Sequence, residues 1–204
     1  MNFDTKHLVR WGIPGWIMII VLGPYFFFCY EEIREMFTSA SLVAVGAFLT
    51  VTGVPLGYLL NQIHHSLFWV YPRRKWLSKI TKKGSWNQYF INEIKLDELF
   101  FVNELGGKKS ERYQYLLSRK HELGSVTVSL GISVIIIFIN NVNHKDAVWS
   151  WIYWLFVLLL CFVVWNSRNY TSSNIEIYNQ HYLNESNELL DKALPLTEDQ
   201  NKNF

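Results

Sequence analysis

Two neighbouring stretches decide the fold: GSVTVSLGISVIIIFINNV at residues 124–142 and AVWSWIYWLFVLLLCFVVW at residues 147–165. Neither contains Asp, Glu, Lys or Arg, and each has about the 20 helical residues that a hydrocarbon core of about 30 Å requires. The same composition recurs at 11–30 and 40–61. Four such spans take up about 80 residues of a 204-residue chain, which leaves too little for a large water-soluble catalytic domain. Half of the residues are apolar and 17% aromatic, with mean hydropathy +0.07, in keeping with this blockwise pattern. The first block follows Lys6 and Arg10 and ends in Gly23-Pro24-Tyr25-Phe26, without the small-residue site of a cleaved signal peptide, so it is expected to be a retained span.

Charge sets the expected orientation. Residues 66–123 carry twelve Lys and Arg against six Asp and Glu, whereas 31–35 hold Glu31, Glu32 and Glu35 with Arg34. Basic residues near span ends stay on the cytoplasmic side, which predicts a basic cytosolic connection, short external links at 31–39 and 143–146, and both termini inside. Trp11, Trp69, Tyr71, Trp76 and Trp165 would mark the inner interface, and Tyr25, Tyr30, Trp149 and Trp151 the outer one. Cys29 and Cys161 then lie in opposite leaflets, too far apart to bridge.

The expected organisation is an all-α membrane protein: spans one and two in 1–65, a basic helical region in 66–123, spans three and four in 124–166, and a cytosolic tail in 167–204. Phe90, Ile94, Phe101 and Leu105 recur at helical spacing and predict an amphipathic helix over 86–105. The run 108–140 holds no proline and predicts one long helix entering the third span. In the tail, Ile175, Tyr178, Tyr182 and Leu189-Leu190 predict a short helix, with the last ten residues disordered. Two glycosylation sequons, at Asn169 and Asn184, would stay unmodified in a cytosolic tail.

On the second span Gly46, Thr50, Gly53, Gly57, Asn61 and His64 step by three or four, which gathers the small and polar residues into one stripe. Ser125, Ser129 and Ser133 do the same on the third span, in step with His121. Such stripes seek protein rather than acyl chains. They read as packing or assembly seams, or as the lining of a polar path between subunits. Pro55 removes a backbone hydrogen bond at mid-span and is expected to kink the helix. No carboxylate, Lys or Arg lies inside a span, which argues against a proton-coupled carrier or voltage sensor.

At the inner interface His64, His65, Arg112, Arg119 and His121 form a candidate polar cluster, satisfied by headgroups or neighbouring polar groups rather than by a metal. Arg73, Arg74, Lys75, Lys79, Lys82 and Lys83 form a basic segment with interleaved aromatic and aliphatic residues, suited to anionic headgroups. RNA or another acidic partner is the less favoured occupant. There is no phosphate-binding glycine loop, nucleophile elbow or HExxH helix. No catalytic residue, metal or cofactor is expected.

With its size, four spans, Gly57-Tyr-Leu-Leu-Asn-Gln-Ile-His-His65 closing the second span and Arg112 to Gly124 entering the third, the chain resembles the small four-span membrane accessory proteins of bacterial defence loci, in particular those beside type VI-B CRISPR effectors. The resemblance implies a homo-oligomer in the inner membrane that modulates an RNA-targeting nuclease or permeabilises the membrane during phage infection. A ribonuclease of the HEPN type needs Arg followed by His four to six residues on. The pairs Arg112/His121 and Arg119/His121 do not have that spacing. The leading expectation is a non-enzymatic protein in which the cytosolic region receives a signal and the spans change permeability. The competing expectation is a scaffold or regulator that recruits a cytosolic partner and forms no pore, and a weaker third is an interfacial enzyme using His64, His65 and His121.

Overall fold

The computed structural model describes residues 5–39, 41–73, 90–96, 106–143 and 148–193, and these are almost wholly helical. In chain order the helices are α1 (Thr5–Cys29), α2 (Glu31–Ser39), α3 (Leu42–His65), α4 (residues 90–96), α5 (Gly106–Asn143) and α6 (Val148–Ala193). A π-helical turn, Ser66–Val70, and a 3-10 turn, Tyr71–Arg73, follow α3. Four segments are long and apolar enough to cross a membrane: Trp11–Cys29, Val43–Val70, Ser110–Asn143 and Val148–Tyr182. Their outward faces carry large apolar side chains such as Val43, Phe48, Val51 and Phe162, each more than 60% exposed. An apolar surface of this extent is untenable in water and normal against lipid. The chain is a multi-pass, all-helical membrane protein.

Local chemistry explains the helix limits. Ser41 caps α3 by accepting the Ala44 N–H at 3.2 Å, satisfying one of the donors left open at a helix start. Residues 31–39, expected as a plain link, form α2 instead. Glu31 and Glu32 in its first turn oppose the positive end of the helix dipole, and Arg34 pairs with Glu31 at 2.6 Å. The expected long helix after Gly107 is α5, which starts at Gly106. The residues after Asn166 do not form a separate short helix but continue α6 to Ala193. No glycine or proline interrupts 148–193, and nothing else in the sequence supplies a stop. At about 57 Å and 69 Å, the 38-residue α5 and the 46-residue α6 exceed a bilayer core.

The chain forms two compact units, Met1–Trp69 with Lys120–Asn169, and Val70–Arg119 with Tyr170–Phe204. In the first, Val21, Tyr25, Leu130, Ile137 and Val157 form the core, flanked by Ile17, Val134, Tyr153 and Trp154. There α1 and α5 run parallel, since Pro14 meets Ser129 and Tyr25 meets Asn141, while α3 runs antiparallel to α1. In the second unit, Leu96 of α4, Tyr113 and Leu116 of α5 and Ile175 of α6 are buried together, beside Leu117, Tyr178 and Tyr182. Tyr113 donates to Glu93 at 2.7 Å, which ties α4 to α5. Only 90–96 of the amphipathic helix expected over 86–105 falls among the described residues, and it is helical. The final ten residues lie outside them.

Candidate functional site at the His64 end of the bundle

The small-residue stripe of α3 faces α1 at Gly53 and Gly57. A Cβ on Gly57 would overlap the Trp11 carbonyl oxygen, and one on Gly15 would overlap the Gly53 carbonyl oxygen and the Gly57 nitrogen. Gly53 lies under the Trp16 indole, and Trp11 packs edge-on against Tyr58 with ring centroids 5.8 Å apart. The two backbones therefore touch, which only glycine allows. Gly46, by contrast, has open space around it, and Thr50 is exposed with its hydroxyl donating to its own helix at the Gly46 carbonyl, 2.8 Å away.

The serines of α5 are also spent within the first unit. Ser125 (2% exposed), Ser129 and Ser133 (both 0%) lie inside it. Ser125 reaches Asn61 Oδ1 at 2.7 Å and the His121 carbonyl at 2.9 Å. Ser129 donates to the Pro14 carbonyl at 2.7 Å, and Ser133 donates to the Ser129 carbonyl at 2.9 Å.

One turn beyond Asn61, His64 is wholly buried. Gly124 of α5 supplies the notch that receives it, for a Cβ there would strike the imidazole at Nε2. Among the described residues, neither ring nitrogen of His64 has a hydrogen-bond partner. Its ring lies 5.4 Å from Phe68 and 5.8 Å from His121. His121 in turn lies 6.5 Å from His65 and 5.0 Å from Trp69, and Lys120 Nζ sits 5.6 Å from the Trp69 ring centre. From α6, the Arg168 guanidinium covers Phe68 at 4.2 Å and Trp165 at 5.3 Å. Arg168 is only 7% exposed, and its Nε has no partner among the described residues. Its hydrogen-bonded neighbour among the described residues is the neutral Asn169 Oδ1, at 3.4 Å.

Three helices deliver these groups to one level for a reason of length. A span of about 20 residues counted back from Asn143 reaches Gly124, and one counted forward from Val148 reaches Ser167. His64 and Arg168 thus stand where the hydrocarbon region gives way to headgroups, the depth at which Trp and basic side chains collect. The titratable groups around His64 among the described residues are Arg168, His121, His65 and Lys120, all basic. Among the described residues no three His, Cys, Asp or Glu side chains converge as metal ligands do.

Of the polar cluster expected from sequence, His64, His65 and His121 come together. Arg112 and Arg119 belong to the second unit, where Arg112 lies 5.7 Å over the Tyr178 ring and Arg119 donates to Tyr115 at 3.0 Å. Of the basic segment, Arg73 ends the short turn after α3, while Arg74, Lys75, Lys79, Lys82 and Lys83 lie outside the described residues. Sequence reasoning missed Lys120 and Arg168 as members of the site. The signal for Arg168 was its place three residues after Trp165, on the same helix face.

A second polar group, also missed, lies at the opposite end of the first unit. Tyr25 donates to Asn141 Oδ1 at 2.6 Å and accepts from Asn140 Nδ2 at 2.8 Å, while Tyr30 donates to Asn140 Oδ1 at 2.5 Å. Asn141 also donates to the Ser150 carbonyl at 3.1 Å, joining α1, α5 and α6. Two adjacent amides in an otherwise apolar stretch were the available sign, since unpaired amides are costly in lipid. No family model, curated protein or solved structure matches the chain.

Proposed function

We propose that this protein is a non-enzymatic scaffold or regulator in a bacterial inner membrane. Its bundle is the anchor, both termini are cytoplasmic, and the helical unit built on Leu96, Tyr113, Leu116 and Ile175 receives a cytosolic partner. The observation that carries this reading is the fate of the polar stripe. Gly53, Gly57, Asn61, Ser125 and Ser129 are spent on contacts between helices of one chain, so they are not left over to line a water-filled path between subunits. The resemblance to accessory proteins of defence loci supplies the class of partner, an RNA-targeting nuclease.

Permeabilisation by an oligomer is the second reading. It is favoured by Gly46 and Thr50, which remain exposed on α3 as a small-residue strip open to another copy. Reconstituting the full chain in dye-loaded vesicles, and capturing cytosolic proteins on the same tagged chain in its host membrane, separates the two. Partner capture without dye release supports the scaffold, and dye release without capture supports the pore.

A further inference from the structure

We propose that the end of the bundle bounded by His64, Lys120, His121, Trp165 and Arg168 is a binding site for an anionic phosphate group. The argument begins with Arg168. A guanidinium that is 7% exposed needs a counter-charge, yet its neighbours are the faces of Phe68 and Trp165 and the neutral amide of Asn169. Ring faces compensate a cation only in part. Lys120 stands in the same group, its Nζ 5.6 Å from the Trp69 ring centre. No carboxylate among the described residues pairs with Arg168. A guanidinium buried with no carboxylate beside it favours an anion in contact with it.

His64 is the second, independent sign. It is fully buried, its Nε2 side seated against Gly124, and its Nδ1 has no partner among the described residues, a buried polar atom that a ligand at the site would satisfy. Two tryptophans, Trp69 and Trp165, flank the group, and the site stands at the depth of headgroup phosphates by residue count. Basic pockets between spans at that depth hold phosphate esters. The guanidinium fork and the ammonium suit phosphate oxygens. The phosphate could come from a lipid headgroup entering between helices or from a soluble ion.

The test uses the full chain in vesicles. Brominated phosphatidylglycerol or brominated phosphatidylcholine is added, and quenching of tryptophan fluorescence is read. The phosphatidylglycerol preference is expected to exceed that for phosphatidylcholine and to weaken about tenfold in Lys120→Gln and in Arg168→Gln. Trp165→Phe is expected to remove much of the quenching difference. If inorganic phosphate raises the melting temperature of the wild-type chain but not of Lys120→Gln, while the two lipids quench alike, the site is a phosphate site fed from water. Arg168→Gln could fail to fold, so Lys120→Gln, whose side chain is only half-buried, decides. Equal quenching by both lipids with no response to phosphate overturns the proposal, as does an unchanged lipid preference and phosphate response in Lys120→Gln.

Discussion

Ser129 donates its hydroxyl to the Pro14 carbonyl at 2.7 Å, so a side chain of the third span closes on the backbone of the first. Both partners are buried, and the bond is made where neither could turn to water. Ser129→Ala is expected to cost about 1 kcal/mol, read as a melting temperature lowered by a few degrees in detergent. The larger Ser129→Leu would also overpack the site and cost about 1–3 kcal/mol. A Ser129→Leu protein as stable as wild type would show that α1 and α5 do not meet at this level.

Gly57 and Gly46 lie on the same helix but in opposite circumstances. Gly57→Ala is expected to destabilise the single chain by about 1–3 kcal/mol, because its Cβ would overlap the Trp11 carbonyl. Gly46→Ala meets open space and is expected to leave the melting temperature unchanged or slightly raised, as a glycine replaced inside a helix usually does. Thermal unfolding followed by fluorescence-detected gel filtration checks both. A larger loss at Gly46 than at Gly57 would contradict the α1–α3 crossing.

Tyr25 holds both amides at the far end of α5. Tyr25→Phe removes one donor and one acceptor, and is expected to cost about 1–3 kcal/mol. Tyr30→Phe, at the part-buried edge of the same group, is expected to cost less. A double-mutant cycle of Tyr25→Phe with Asn141→Ala should give a coupling energy of about 0.5–2 kcal/mol. A coupling of zero would mean that the two side chains do not meet.

In the second unit, Tyr113→Phe deletes the bond to Glu93 while keeping the ring among Leu96, Leu116 and Ile175. Hydrogen exchange of α4 amides is expected to quicken severalfold, reflecting a loss of about 1 kcal/mol, with the amides of Gly124 to Ile137 unaffected. Equal protection of α4 in both proteins would place Glu93 elsewhere.

The spans were legible in the sequence because lipid enforces a simple rule. Charge is excluded over a fixed length, and 124–142 and 147–165 obey it without exception. The continuity of α5 was legible from its lack of proline. The spacing of Gly53 and Gly57 announced a close approach but could not say to what, because a seam between chains and a seam within one chain demand the same small residues. Trp11 and Gly15, the actual partners, lie about 40 residues away with no matching periodicity to point to them. The His64 site was half legible. Histidines at span ends stand out, but the burial of Arg168 depends on Phe68, which nothing local connects to it. Residues 31–39 were misjudged because charge was weighed there and helix-start chemistry was not.

The tyrosine-held amides carry a consequence for biosynthesis. A ribosome delivers α1 to the bilayer well before α5, so when Asn140 and Asn141 leave the translocation channel, Tyr25 and Tyr30 already stand in the membrane to receive them. A nascent third segment arriving without that reception would confront acyl chains with two unmatched amides. Order of synthesis thus becomes part of how the chain is assembled, and a permutation that made α1 last should insert poorly even though every mature contact were preserved.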